Sequence, residues 1–146
     1  MKQNLMWTLK QLHFSLEQGG KRHLQDMGLS PTQGVLLHYL LTHRQQDIYG
    51  VDLQAVLGIS KSSVSAAVKG LRQNGYLTLR DDPQDDRKKQ IVLTEKAYGV
   101  EQAIQAGLER QQRELCQGIP EQHREWLEQD LEIMLSNLKR KTEESL

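Results

Sequence analysis

The sequence predicts a mainly α fold with a small β wing: a winged helix-turn-helix domain carried between N- and C-terminal helices. Three observations predict it. Between Asp52 and Lys96 the chain reads helix, turn, second helix, strand, charged loop, strand. The second of those helices, SKSSVSAAVKGLRQNG, has three basic residues and no acid. On either side lie long stretches with apolar residues at helical rather than strand spacing.

Composition bounds the rest. A chain of 146 residues suffices for one real core and is short for two, so residues 1–146 are expected to form a single domain. Hydrophobic residues make up 37% and aromatics only 5%, so Leu, Ile, Val and Ala must build the core. No apolar run approaches about 18 residues, which excludes a membrane-spanning helix. The first twenty residues have polar residues spread through them and no small-residue cleavage site, and do not read as a signal peptide. The single cysteine, Cys116, suits a reducing compartment, and the expected location is the cytoplasm.

Taken in order, Leu5, Leu9, Leu12 and Leu16 predict an amphipathic helix over residues 2–18. Gly19-Gly20 either ends it or admits a kinked continuation through Lys21–Met27. Ser30, Pro31 and Gln33 form a capping-box start for the next helix. Its apolar run from Val35 to Leu41 predicts burial on most sides. Ile48-Tyr49 is a candidate short strand pairing with the wing. The helix VDLQAVLG follows, closed by Gly58. Ser60 caps the next helix, which turns Val64, Ala67, Val68 and Leu71 to the core and ends at Asn74-Gly75. Residues 76–80 and 90–93 predict antiparallel strands around the loop DDPQDDRKK. Thr94 caps a long helix carrying Val100, Ile104, Leu108 and Leu115. Gly118-Ile119-Pro120 break it, and a last helix shows the stripe Leu127, Leu131, Met134, Leu138. KRKTEESL reads as a frayed tail.

A net charge of zero argues against nucleic acid until its distribution is read. Residues 60–96 hold eight Lys/Arg against five Asp/Glu, a net +3. Residues 97–146 hold six against ten, a net −4. Such a molecule presents its basic end to phosphates. In the basic helix, Ser60, Ser62, Ser63, Ser65 and Ala66 are small enough for close approach to base edges. Lys61, Lys69 and Arg72 suit phosphates, as does the helix N-terminus. In the wing, Lys88 and Lys89 add charge, and Arg87 is the candidate to enter a minor groove. Asp85 stands two residues before Arg87, placed to pin its guanidinium by a bidentate pair. The apolar stripes at both ends of the chain exceed what a small winged core covers, so a two-fold homodimer is expected. Two recognition helices then read a palindrome with half-sites about 34 Å apart.

At this point the chain resembles the MarR family of bacterial transcription regulators. The resemblance runs over nearly the whole chain. It is most specific in LGISKSSVSAAVKGLRQNGYLTLRDDPQDDRKKQIVLTEKA, where Asp82-Pro83-Gln84-Asp85-Asp86-Arg87 is similar to the family's Asp-Pro-x-Asp-x-Arg pattern. The family commonly has Gly where Ala97 stands, and the wing here is unusually acidic. The resemblance implies a winged core at 30–96, dimerisation helices at 1–20 and 97–146, and a palindromic operator. It also implies repression and a small aromatic or anionic effector. It gives Ser60–Asn74 as the base-reading helix and Arg87, oriented by Asp85, as the minor-groove arginine.

An effector pocket between the dimer helices and the winged core has Trp7, His13, Phe14, His38, Tyr39 and Arg44 as candidate lining. Cys116 lacks a resolving thiol, and His13, His23, His38 and His43 lack the spacing that puts two ligands on one helical face. No metal and no cofactor are therefore expected. No nucleophile elbow, phosphate-cradling loop, HExxH or CxxC occurs, so no enzyme is expected either. The expected partners are double-stranded DNA and a second copy. The competing class is a winged-helix protein-interaction module without DNA binding.

Overall fold

A computed structural model describes residues 4–144 of the chain. They form six α-helices and a two-stranded hairpin: α1 (Leu5–Leu24), α2 (Pro31–Thr42), α3 (Gly50–Leu57), α4 (Lys61–Gln73), β1 (Leu77–Asp82), β2 (Asp85–Leu93), α5 (Glu95–Cys116) and α6 (Glu121–Glu144). The described residues divide into two compact units, 1–111 and 112–146.

The helix starts follow local chemistry. Asn4 caps α1 by accepting from the Met6 N–H at 2.8 Å. The capping box of α2 is complete: the Gln33 N–H donates to Ser30 Oγ at 3.2 Å and the Ser30 N–H donates to Gln33 Oε1 at 3.0 Å. Ser60 caps α4 through the Ser63 N–H at 3.1 Å. Thr94 opens α5 through its carbonyl, while its hydroxyl donates to Gly75 O at 2.6 Å and so ties α5 to the end of α4.

Of the two readings of Gly19-Gly20, the helix runs on. α1 continues to Leu24, and Gln25–Met27 add a 3₁₀ turn. The glycines mark contacts rather than a stop. Gly19 faces Gln111, whose side-chain amide donates to Leu16 O at 3.0 Å, and Gly20 faces Pro31. Further along, Gly107 of α5 leaves the space that the His23 ring fills. His23 Nδ1 accepts from Arg110 at 2.9 Å, so Nε2 carries the proton donated to Ala103 O at 3.0 Å.

The core of the first unit gathers Leu36, Leu37, Leu40 and Leu41 of α2, Leu53 of α3, Val64, Ala67 and Leu71 of α4, and Leu77, Ile91, Ala97 and Ile104. Val35 is the exception to the expected burial of α2, standing about half exposed. Tyr76 is fully buried, and its hydroxyl donates to Met27 O at 2.6 Å. Burial raises that hydroxyl's pKa above the ordinary phenol value.

The hairpin is longer and tighter than expected. Strand pairing runs from Leu77↔Leu93 to Asp81↔Lys89, and a register shift brings Asp82 opposite Asp85. Only Pro83 and Gln84 are left at the tip. The extension follows from side chains: Lys89 pairs with Asp81 across the strands, and the Gln84 N–H donates to Asp82 Oδ1 at 2.9 Å. Ile48-Tyr49 does join the wing, as one bridge (Tyr49↔Gln90) and one bond from the Ile91 N–H to Ile48 O at 2.8 Å.

In the second unit, Gly118 takes φ +85 to turn the chain from α5 into α6. Nearly all of α6 is exposed, including Trp126, Leu127, Ile133 and Leu135. Among the described residues no helix is long and apolar enough to cross a membrane.

Candidate nucleic-acid interface

α4 is amphipathic for a reason visible in its sequence. Val64, Ala67 and Leu71, at spacings of three and four, are buried against the core. Lys61, Ser62, Ser63, Ser65, Ala66, Lys69 and Arg72 are all left exposed. Val68, expected in the core, lies at its margin. Gly70 allows the close approach of α2, because a Cβ there would meet the Gln33 side chain.

The serines at the N-terminus of α4 are engaged with one another. Ser60 Oγ donates to Ser63 Oγ at 2.8 Å and lies 3.1 Å from Ser62 Oγ. They order the helix start, where the free N–H groups and the helix dipole favour an anion. Ser65 and Ala66 lie one turn further on.

Beside α4, the wing and α3 enclose an open cleft of about 510 Å³. Val51, Val64, Val68, Leu79 and Ile91 give it an apolar lining. Its rim carries Lys61, Lys69 and Arg72 from α4 with Arg87 and Lys89 from the wing. No acidic residue lines it. Five cations separated by up to 28 positions in the sequence thus meet at one face. Three of the four wing acids are engaged locally: Asp81 pairs with Lys89, Asp82 caps the turn and Asp85 caps the bend before Arg87, while Asp86 is exposed.

One expectation is corrected here. Asp85 does not pair with the Arg87 guanidinium. Its Oδ1 accepts from the Arg87 backbone N–H at 2.9 Å, an Asx turn that fixes the wing backbone and leaves the guanidinium without an ion pair among the described residues. A carboxylate two residues earlier reaches the backbone more easily than a side chain on the same strand. The residues named as candidate lining for an effector pocket have these surroundings. Arg44 lines a polar cleft of about 170 Å³ with Tyr98 and Arg80, its guanidinium paired with Glu101 at 2.8 Å. Trp7 and Phe14 are exposed, His38 bonds Gln105, and Tyr39 stacks on His43 at 4.0 Å between ring centres. Among the described residues no cluster of three metal-ligating side chains occurs.

Sequence reasoning passed over Tyr49, Val51 and Gln54. Val51 and Gln54 line the cleft from α3. The Tyr49 ring lies 5.6 Å from Lys88 Nζ. Burial, then the carboxylates of Asp82, Asp47 and Asp52, raise the Tyr49 hydroxyl above its ordinary pKa. Only Asp47 and Asp52 stand near Tyr49 in sequence; Asp82 comes from β1, so the meeting left no signal in the sequence.

A three-helix core with a hairpin wing, bearing its cations on one helix and that wing, defines a winged-helix protein. Residues 27–88 match the model of the MarR family. The solved structures similar to this chain carry the same fold along nearly their whole length. One is a MarR-family transcriptional regulator of Listeria monocytogenes in complex with a 26mer DNA, with 18% identity and a TM-score of 0.86 over 96% of this chain and 92% of that one. Another is the Staphylococcus aureus MepR–DNA complex, with 23% identity and a TM-score of 0.88 over 94% and 99%. A third is a MarR protein of Peptoclostridium difficile, with 18% identity and a TM-score of 0.89 over 97% and 91%. At these identities the likeness establishes the fold.

Proposed function

We propose that this chain is a sequence-specific duplex-DNA-binding transcription regulator that acts as a homodimer on a palindromic operator. The observation that carries the reading is the cationic rim shared by α4 and the wing, where Lys61, Lys69, Arg72 and Arg87 converge beside the Asp81-paired Lys89. Phosphate neutralisation supplies most of the binding, and α4 brings Ser65 and Ala66 with the serine-rich N-terminus to the base edges. The wing carries the Arg87 guanidinium to a minor groove. The DNA complexes of MepR and of the Listeria protein support the same use of this fold.

The homodimer rests on uncovered apolar surface. On α1, Leu5, Trp7 and Phe14 are more than half exposed, as are Trp126, Ile133 and Leu135 on α6. Apolar surface of this extent marks an interface. In this reading the protein represses transcription, and a small aromatic or anionic effector releases it. The cytoplasm is where such a regulator meets DNA.

The test is selection of bound sites from a random duplex pool, followed by affinity for the selected site across a salt series. The expected result is a palindrome with half-sites about one helical turn apart and an affinity that falls steeply with salt. A folded protein that enriches no site would sink the reading and favour a protein-interaction module.

A further inference from the structure

Of the three β2 cations Arg87, Lys88 and Lys89, Lys88 does not line the cleft, and an aromatic ring lies beside it. Tyr49 stands in the loop that leads into α3, and its ring lies 5.6 Å from Lys88 Nζ. That loop is stitched to β2 at three successive positions. Gln90 donates its side-chain amide to Asp47 Oδ1 at 3.1 Å, the Ile91 N–H donates to Ile48 O at 2.8 Å, and Tyr49 bridges to Gln90. The Tyr49 N–H in turn donates to Asp52 Oδ2 at 3.2 Å, which locks the residue to the first turn of α3. The ring is half-buried while Lys88 is exposed.

A lysine on a free hairpin sweeps a wide volume, because its stem has four rotatable carbons and its ammonium is strongly hydrated. An aromatic face anchored on the helix-turn-helix narrows that volume without neutralising the charge. A carboxylate partner would hold the ammonium equally well and cancel it, as Asp81 does for Lys89. We propose that Tyr49 is a positioning residue for DNA binding: its ring holds Lys88 in place for a phosphate flanking the groove that the wing enters. The assignment rests on the DNA-binding reading above.

The test is a double-mutant cycle on affinity for the selected duplex, with Tyr49→Leu, Lys88→Ala and both together. Tyr49→Leu weakens binding about twofold to fivefold when Lys88 is present, the range of an exposed cation–π contact. Lys88→Ala flattens the salt slope by about one unit. In the Lys88→Ala background, Tyr49→Leu has no further effect. A loss on Tyr49→Leu that persists undiminished without Lys88 overturns the assignment and leaves Tyr49 a plain structural residue. Should Tyr49→Leu fail to fold, the proton spectrum of the native protein decides. The Lys88 side-chain methylenes are shifted upfield by the ring, and unshifted resonances overturn the proposal. Wild-type protein that shows no salt-dependent duplex binding removes the functional reading itself, whereas steep wild-type binding with an additive cycle removes only this inference.

Discussion

Two glycines of α5 show how one missing methyl acts in opposite senses. Gly99 is exposed, and a Cβ there meets nothing within 4 Å. Gly99→Ala is expected to stabilise by about 0.4–1 kcal/mol, through helix propensity and a less flexible unfolded chain. Gly107 is buried, and a Cβ there collides with the His23 ring. The same propensity gain of about 1 kcal/mol is then outweighed by overpacking of about 1–3 kcal/mol, with loss of the bonds from His23 to Ala103 and Arg110. Thermal melts of the two variants should move in opposite directions. A Gly107→Ala variant as stable as Gly99→Ala would show that His23 is not clamped. Tyr76 yields a pH test. Its hydroxyl pKa is raised by burial in the folded state, so its stabilising effect is full below the unfolded phenol pKa of about 10. The effect is lost as pH rises through the folded value. Stability is expected to fall above about pH 10, and less steeply in Tyr76→Phe, when unfolding is followed in urea at several alkaline pH values.

At the scale of elements, the wing depends on its backbone more than on its charges. Because Asp85 accepts from the Arg87 N–H, Asp85→Asn keeps the acceptor and is expected to bind operator nearly as wild type. Asp85→Ala loses the turn and weakens binding. Equal losses in both variants would restore a charge pair with the guanidinium. Arg87→Ala is expected to cost about 1–3 kcal/mol of operator affinity with an unchanged melting temperature. Helix starts were legible because a cap is written within four residues, as at Ser30–Gln33 and Ser60–Ser63. The wing's length was not. It is set by Asp81 meeting Lys89 eight positions away, and a charged stretch reads as loop until its partner strand is known.

For the whole molecule, the exposed apolar faces of α1 and α6 carry the expectation of a dimer. Sedimentation at micromolar concentration should give about twice the 16.8 kDa chain mass. Ile133→Asp is expected to shift the protein toward monomer and weaken operator binding by about a hundredfold, as two-site engagement is lost. A wild-type monomer at these concentrations would end that reading.

By itself the sequence determined the order and type of the elements, the buried face of α4 and the basic character of the α4–wing segment. These follow from periodicity, capping and composition, which act over a few residues. Tertiary structure alone decided that α1 runs through Gly19-Gly20, that Asp85 serves the backbone, and that Tyr49 meets Lys88. It also decided that basic side chains of α4 and the wing share one rim. Each of these is a meeting of groups whose partner is set by packing: a glycine reads as a helix stop until a neighbouring helix needs its space, and an aspartate's choice between backbone and guanidinium is made by the turn that holds it.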